Sequence, residues 1–341
     1  MVGIFFAEWA PFPTLCPNLQ TIGLYNLPGD PIITAAISEF LLTTNRGALQ
    51  QFHMDFPLTQ EAHEVIFKLP GLRELTMVVE GPSSFPTVVL PNLTEIDLEY
   101  DHNYDWLQGF HKATLGKLDS VTFRAKSASA RVAGFLEAFE SVGLAASTTL
   151  STFIFYTRQS WRPNYRSLLS FQQLRKLEIR FSCRGGCSST IYDDTITDMA
   201  RAMPRLETLL LGESPCQTPT GITAKGLTVL AHYCPNLFNL RIHFRADSFN
   251  ARMMIAGTPH TGTTAPRRDC ALTGLHVGAI SIPEESTLMV ALTLARIFPH
   301  LSWIHHDDDN WEKVLEAIRI SRQFVDRTSK EHSPAASQSS T

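Results

Sequence analysis

The sequence is short of three features that mark common protein classes. Its 341 residues include only six cysteines, too few for a scaffold held by disulfides. Its longest strongly apolar run, Leu288–Ala295, is far shorter than the roughly 20 residues that a membrane-spanning helix needs. It also has no charge excess, because 29 basic residues stand against 33 acidic ones. The net charge of −4 argues against a nucleic-acid binder, which needs concentrated positive charge.

Catalytic motifs are also missing. The chain contains no G-x-S-x-G, Walker, G-x-G-x-x-G or H-E-x-x-H pattern, so no motif indicates nucleophilic catalysis, phosphate binding or a zinc protease. Residues 1–13 carry no basic residue ahead of their short apolar patch, which is unlike a signal peptide. With 44% hydrophobic and 18% charged residues, the composition indicates a globular or repeat protein. We expect it in the cytoplasm or nucleus.

What the sequence does have is an internal repeat. A leading leucine is followed three and five residues later by apolar side chains, and leading leucines recur at intervals of 21 to 35 residues. Of 33 such positions 32 are apolar, whereas random placement would give about 15. The eleven units are LQTIGL (19–24), LQQFHM (49–54), LRELTM (72–77), LTEIDL (93–98), LDSVTF (118–123), LSTFIF (150–155), LRKLEI (174–179), LETLLL (206–211), LFNLRI (237–242), LTGLHV (272–277) and LSWIHH (301–306).

The spacing predicts a short strand in each unit. Alternation of apolar and polar residues places the apolar ones on one strand face, and stacked units bury that face together in a parallel sheet. Segments between the strands show helical periodicity, with predicted stripes at Ile33–Leu41, Val132–Val142, Ile196–Met203 and Leu288–Ala295. Six units place an apolar residue and a proline just before the leading leucine, which ends the incoming segment.

These repeats resemble the leucine-rich repeat family. Phrases such as CPNLQTIGL (16–24) and CPNLFNLRI (234–242) are similar to the repeat region of fungal F-box proteins. The resemblance implies an irregular α/β leucine-rich-repeat solenoid, a horseshoe with a parallel sheet on its concave face and helices or turns on its convex face. It also implies a non-enzymatic protein-recognition module, the substrate-binding part of an F-box-type ubiquitin ligase adaptor. No F-box is present, because the first repeat has already begun at Leu15. A cullin-type ligase could therefore dock only if an F-box were supplied.

The predicted organisation has four parts. Residues 1–14 form an N-terminal lead-in, and residues 15–309 form the solenoid of about eleven units. Residues 246–269 are rich in Gly, Thr and Pro and are predicted to be an exposed loop insertion. Residues 310–327 are predicted to form a C-terminal capping helix, because the end of a solenoid would otherwise expose its core. The polar tail 328–341 is predicted to be disordered.

The candidate binding site is the concave face, where strand positions two, four and six after each leucine point away from the core. In the second to fourth units these positions hold acids: Asp55, Glu74, Glu95, Asp97 and Glu99. In the fifth to ninth units they include Arg124, Tyr156, Lys176, Arg180, Arg241 and His243, with Glu178 as the one acid. An acidic half beside a basic half would orient a bipolar protein partner. Simple solvation of surface charges is the alternative.

Two other groups of residues, the cysteines and a His/Asp run, carry reactive or metal-binding side chains. Cys16 and Cys234 occupy a position that other units fill with Leu, Met or Phe, so they are predicted to pack in the core, and Cys183 with Cys187 lacks the further ligands of a zinc site. The run HHDDDN (305–310) predicts either a helix cap or, less favoured, a metal-dependent hydrolase using His305–Asp309. We expect no cofactor and no enzymatic activity. A plain interaction scaffold without a ubiquitin role remains the other alternative.

Overall fold

Eleven parallel strands form one sheet in which every strand pairs with its sequence neighbours. The computed structural model describes residues 18–25, 31–43, 48–80, 90–101, 107, 115–126, 135–143, 148–158, 164–181, 191–212, 221–246, 249, 270–278 and 280–331. The strands are β1 Thr21–Leu24, β2 Gln51–Pro57, β3 Glu74–Val79, β4 Glu95–Tyr100, β5 Ser120–Ala125, β6 Thr152–Thr157, β7 Lys176–Phe181, β8 Thr208–Leu211, β9 Asn239–Arg241, β10 Gly274–Gly278 and β11 Trp303–His306. Each predicted repeat contributes one of them, so the predicted α/β fold with an open parallel sheet is confirmed.

Helices follow several of the strands and cover the core on the side away from the sheet. Within the described residues they are α1 Pro31–Thr43, α2 Gln60–Ile66, α3 Phe135–Gly143, α4 Asp193–Ala202, α5 Ala224–Tyr233, α6 Thr287–Ile297 and α7 Asn310–Glu331. Short 3₁₀ turns lie at Tyr165–Leu168 and Glu284–Ser286. Three of the intervals without a described helix are short, and one such as Leu72 to Leu93 leaves room for little more than a turn. In the longer interval from Leu237 to Leu272, most residues lie outside the described part of the chain.

The leading leucines form an interior row. Leu72 and Leu93 are fully buried and Leu118 is nearly so, and all three belong to one continuous hydrophobic core. The predicted faces of α1 and α4 also lie in that core, including Ile37 and Ile196. Since a single short strand cannot bury its apolar side alone, the stacked rows supply the hydrophobic free energy that holds the units together.

In seven units of the described chain, the same turn links the incoming segment to the strand. The backbone N–H of Leu72 donates to the carbonyl of Leu69 across Pro70 at 3.3 Å, and Leu93 bonds in the same way to Leu90 across Pro91 at 3.2 Å. Proline suits the second position of such a turn because its fixed φ matches the turn and its missing N–H is not needed there. Where a proline lies two residues before the leading leucine, as at Pro70 and Pro91, it is thus part of the turn that starts the strand.

Aromatic side chains fill the core beneath β4–β7. Phe135 and Phe139 of α3 project toward the strands, and Phe135 lies 4.5 Å from Phe155 between ring centroids. Phe139 stacks on Phe171 at 5.3 Å and lies 4.8 Å from Phe153. Such pairs add specific contact energy to burial, so this part of the core rigidly supports the strand face above it.

The C-terminal units differ from the sequence prediction in detail. In α6 the buried side chains include Val290 and Leu294 as well as Ala291 of the predicted stripe. Leu288 is 59% exposed, so the predicted stripe is wrong at its first residue. The helix begins at Thr287, and the hydroxyl of Ser281 donates to Asp308. Sequence periodicity left the face of α6 ambiguous because almost every residue from 288 to 295 is apolar.

The predicted loop 246–269 and the predicted C-terminal segments are partly described. Ala246 and Phe249 are each 5% exposed and belong to the core, which contradicts an exposed loop at its start, and the rest of that loop lies outside the described residues. The last helix, α7, runs to Glu331, past the predicted limit of 327 and into the segment predicted to be disordered. Residues 1–14 and 332–341 lie outside the described residues.

The cysteine prediction can be tested at one of its two core positions. Cys234 is fully buried, its thiol lies 3.6 Å from the carbonyl oxygen of Met203, and burial raises its pKa to about 12. It therefore packs as a small hydrophobic residue, as predicted. Cys16, Cys183 and Cys187 lie outside the described residues.

Candidate functional site

The sheet face opposite the helices, here called the outer face, carries strand positions two, four and six. Residues at equal positions in neighbouring strands are register partners, which places them about 5 Å apart. In β4 the alternation is clear, because Ile96, Leu98 and Tyr100 are buried while Glu95 is exposed. The fourth-position row is formed by His53, Thr76, Asp97, Thr122, Ile154, Glu178, Leu210, Arg241, His276 and His305.

Acidic side chains gather on β3 and β4. Glu74 is the register partner of Glu95, and Glu74 accepts a hydrogen bond from the side-chain amide of Gln51 at 2.9 Å. Although the Glu95 side chain reaches solvent, partial desolvation of its carboxyl group raises its pKa, and the nearby carboxylates of Glu74 and Asp97 raise it further. Adjacent like charges are unfavourable in a sheet unless something offsets them. This patch therefore favours a positively charged group.

Asp55 stands apart from the other predicted acids. It is exposed on β2, but the register between β2 and β3 shifts after His53, so that Pro57 pairs with Val78. Val78 itself is only 3% exposed although it occupies an outward position. The shift removes Asp55 from the regular rows, so sequence position alone could not place it.

The acidic and basic halves meet between β4 and β5 and form ion pairs there. Arg124 pairs with Asp97, and Lys126 lies 3.3 Å from Glu99 between the charged atoms. Burial raises the pKa of Asp97, while its hydrogen bond to Arg124 opposes that rise. The two halves predicted from sequence are thus joined by ion pairs at their boundary.

Glu178 organises the basic half from a buried position. It is 2% exposed and forms ion pairs with Arg180 and with Lys176, the latter at 3.3 Å. The hydroxyl of Tyr156 donates to the Glu178 carboxylate at 3.3 Å, and burial raises the pKa of this tyrosine. A buried carboxylate needs such partners because an unpaired one would lose its hydration. Glu178 therefore holds three predicted site residues together.

Tyr156 lies between two guanidinium groups on the sixth-position row. The guanidinium carbon of Arg124 is 5.7 Å from the centre of its ring, and that of Arg180 is 5.1 Å from it. Register pairing of Arg124 with Tyr156 and of Tyr156 with Arg180 produces this order. Cation–π attraction stabilises the stack and limits the freedom of both arginines.

A depression of about 270 Å³ opens beside this stack, at the carboxyl ends of β5–β7. Its wall includes Arg124, Tyr156 and Arg180 together with Lys126 and Arg158, which were not among the predicted site residues. Lys126 and Arg158 stand eight residues after their leading leucines. The alternation that selected positions two, four and six would have found them if it had been carried one step further.

Arg241 and His243 are placed differently from each other. Arg241 ends β9 and is the register partner of His276, so it lies on the outer face as predicted. His243 lies beyond the end of the strand, is only 8% exposed, and packs beside Gly212, whose φ of 85° requires glycine's freedom. The ninth strand is too short to carry its predicted sixth position.

Within the segment 305–309, His305 and His306 end β11, and Asp307–Asp309 lead into the start of α7. The carboxylate of Asp308 accepts from the backbone N–H of Asn310 at 2.9 Å and from the hydroxyl of Ser281 at 2.7 Å, and these hydrogen bonds lower its pKa. The ring of His305 contacts that of His276 at 5.4 Å between centroids. Among the residues that the structure describes, no three His, Cys, Asp or Glu side chains are grouped to hold a metal ion.

Comparisons with known proteins are sparse. No protein-family model matches the chain, and no curated protein matches it. Among solved structures it is similar to a structural-genomics protein from Bacteroides fragilis, with 13% identity over 89% of this chain and 68% of that one. The TM-score of that likeness is 0.38, too low to establish a shared fold. Within the described part of the chain, no helix has the length and apolarity to cross a bilayer.

Proposed function

We propose that this chain is a non-enzymatic protein-recognition module that binds its partner on the outer face of the sheet. The observation that carries the proposal is the charge arrangement on β3–β7, where the Glu74–Glu95 pair lies on one side of the Arg124–Asp97 bridge and Tyr156 with its arginines on the other. Charges ordered in this way orient a partner and discriminate against wrong ones.

In this proposal the fold is an irregular leucine-rich-repeat solenoid and the outer face is its concave side. Support comes from the one-strand-per-unit pattern and from the turn that recurs before seven of the leading leucines. Stacked repeats present one long, continuous surface, which is suited to an extended or large protein partner.

The more specific role that we propose is the substrate-binding part of an F-box-type ubiquitin ligase adaptor. Its support is the similarity of CPNLQTIGL and CPNLFNLRI to the repeats of fungal F-box proteins. The repeats would hold a target while a separately supplied helical module docks the ligase, so catalysis would belong to the ligase. An interaction scaffold without that role would use the same face. Stable co-purification of a cullin and its adaptor supports the ligase role, whereas another stable partner without them supports the scaffold.

Charge reversal tests the binding face. Glu95, Asp97 and Glu99 are changed together to lysine, and partner capture is compared with that of the unchanged chain. The matched control reverses three exposed acids on helices, Glu61, Glu137 and Asp198. We expect capture to fall about tenfold or more with the outer-face variant alone. Equal loss with both variants, or unchanged capture with the outer-face variant, contradicts the proposal. Thermal melting confirms that both variants are folded.

A photo-crosslinking residue provides a second test. It is placed at Thr152, at the centre of the outer face, and separately at Leu288, which is 59% exposed on the helical side. We expect the captured partner to crosslink to position 152 and not to position 288. Crosslinking from position 288 alone would move the binding site to the helical side.

A further inference from the structure

The depression at the carboxyl ends of β5–β7 is strongly cationic. Its wall contains Arg124, Lys126, Arg158 and Arg180, and the one acid on the wall is Glu99. Its volume of about 270 Å³ suits a single side chain or chain end rather than a whole helix. Three β-strands with an aromatic core beneath them hold this wall in place.

Ion pairs account for three of the four cations. Arg124 pairs with Asp97, Lys126 with Glu99, and Arg180 with the buried carboxylate of Glu178. Arg158 is exposed, and no acid among the described residues forms an ion pair with it. Glu178 is shared between Arg180 and Lys176, so the cations here outnumber their paired acids. Arg158 is the one cation on the wall without an ion-pair partner among the described residues, and a carboxylate from a ligand can pair with it.

The arginines are prepared to donate hydrogen bonds. Tyr156 holds one guanidinium over its ring on each side, at 5.1 and 5.7 Å. A stacked guanidinium keeps its in-plane N–H groups available, and their fork geometry matches the two oxygens of a carboxylate. The hydroxyl of Tyr156 is already directed to Glu178, so the ring fixes the arginines without competing for the ligand.

We propose that this depression binds one carboxylate of the partner protein, either an Asp or Glu side chain or a chain end. This inference rests on the proposed function, because it names the group that the outer face recognises at its basic end. Arg158 supplies the unpaired charge, and Arg124 and Arg180 supply oriented donors. The Glu74–Glu95 patch, which favours a positive group, fixes the direction in which the partner lies.

Four short probes distinguish the sources of a carboxylate. All are Gly-Ser decapeptides, and the first has one central Glu and an amidated C-terminus. The second has Gln in its place and a free C-terminal carboxylate, the third has Gln and an amidated end, and the fourth carries phosphoserine with an amidated end. Saturation-transfer NMR at low salt detects weak binding of each. We expect the first or second probe to bind at least tenfold more tightly than the third, and the fourth no more tightly than the better carboxylate probe.

Arg158→Gln is the main variant because no described ion pair of the fold depends on it. We expect this substitution to weaken binding of the carboxylate probe about tenfold. Arg175→Gln is the matched control, since Arg175 is an exposed arginine paired with Glu207 outside the depression. Equal binding of the first three probes, preference for phosphoserine, or equal loss with both variants would overturn the carboxylate site.

Failure of this site and failure of the proposed function give different results. If the carboxylate probes do not bind but partner capture still depends on Glu95, Asp97 and Glu99, the inference alone is wrong. If capture depends on no outer-face residue, the proposed function is wrong as well. The Arg158→Gln variant in the capture assay tests the carboxylate site and the proposed function together. We expect it to lower capture of a partner whose carboxylate occupies the depression.

Discussion

The carboxylate of Asp193 accepts two hydrogen bonds from Thr223, one repeat later in the chain. Its Oδ1 lies 2.8 Å from the backbone nitrogen of Thr223, and its Oδ2 lies 2.6 Å from the hydroxyl oxygen. Oδ1 also accepts from the backbone N–H of Gly226 at 3.0 Å. Asp193 begins α4, yet its side chain satisfies the N-terminal donors of α5, so it connects two repeats.

Asp193→Ala is therefore expected to lower the free energy of unfolding by about 2 kcal/mol, because it leaves helix N-terminal donors without their charged acceptor. Urea unfolding followed by circular dichroism measures the change. Asp194→Ala is the control, since Asp194 is exposed in the same first turn. A loss at Asp194 as large as that at Asp193 would contradict the linking role.

This link shows what sequence could and could not predict. The strands were predictable because every unit repeats the same leucine and alternation, and that pattern depends only on local geometry. The sequence also places Asp193 at a helix start, but periodicity cannot reveal that its side chain serves the next helix. Contacts between repeats depend on how the units stack.

The outer face shows the same limit. Arg124 and Asp97 could be placed on neighbouring strands from the repeat register, and the structure brings them into an ion pair. The burial of Glu178 was not predictable, because Tyr156 and the flanking cations cover it only after the sheet has formed. The missed residues Lys126 and Arg158 follow the same alternation just beyond the counted positions.

The Arg124–Asp97 ion pair should contribute measurable coupling. Arg124→Met leaves the half-buried carboxylate of Asp97 without its main partner, so we expect a loss of about 1–2 kcal/mol. Adding Asp97→Asn should recover part of that loss, because the uncompensated charge is removed. A double-mutant cycle by urea unfolding measures the coupling, and strictly additive effects would mean that the pair does not stabilise the sheet.

Glu95→Gln should stabilise the protein at neutral pH. Partial desolvation and the carboxylates of Glu74 and Asp97 raise the pKa of Glu95, so ionisation of Glu95 costs stability as the pH rises through its folded-state pKa. We expect a higher melting temperature than the unchanged chain at pH 7.5 and no difference near pH 3, where the group is protonated in both states. Glu61→Gln, at an exposed helix position, serves as the comparison. An equal rise in its melting temperature would contradict the explanation from the raised pKa of Glu95.

Acid should destabilise the protein partly through His63. This side chain is 1% exposed in α2, and burial lowers its pKa to about 4, while a backbone hydrogen bond with Val78 opposes that shift. The unfolded chain takes up the proton below pH 6.5 and the folded chain only near pH 4, so stability falls across that window by up to about 3 kcal/mol.

His63→Leu should accordingly reduce the fall in unfolding free energy between pH 7 and pH 4. Part of the dependence of unfolding free energy on pH should remain in this variant, because burial also lowers the pKa of His276 to about 4. The exposed His300→Gln variant should keep the full slope. Urea midpoints measured at half-unit pH steps provide the comparison, and an unchanged slope in His63→Leu would show that its protonation is not coupled to unfolding.

Gly274→Ala tests the last pair of strands. Trp303 of β11 lies across Gly274 of β10, and a Cβ at position 274 would overlap the indole ring. The ring must move, so it loses its contact with His276, whose ring centroid is now 4.8 Å away. We expect the free energy of unfolding to fall by about 1–3 kcal/mol and the tryptophan emission to shift to the red, because an indole that is already 41% exposed becomes more hydrated.

Trp303→Phe identifies the emission of this residue among the five tryptophans. If Gly274→Ala changes neither stability nor emission, the close packing of these two residues is wrong.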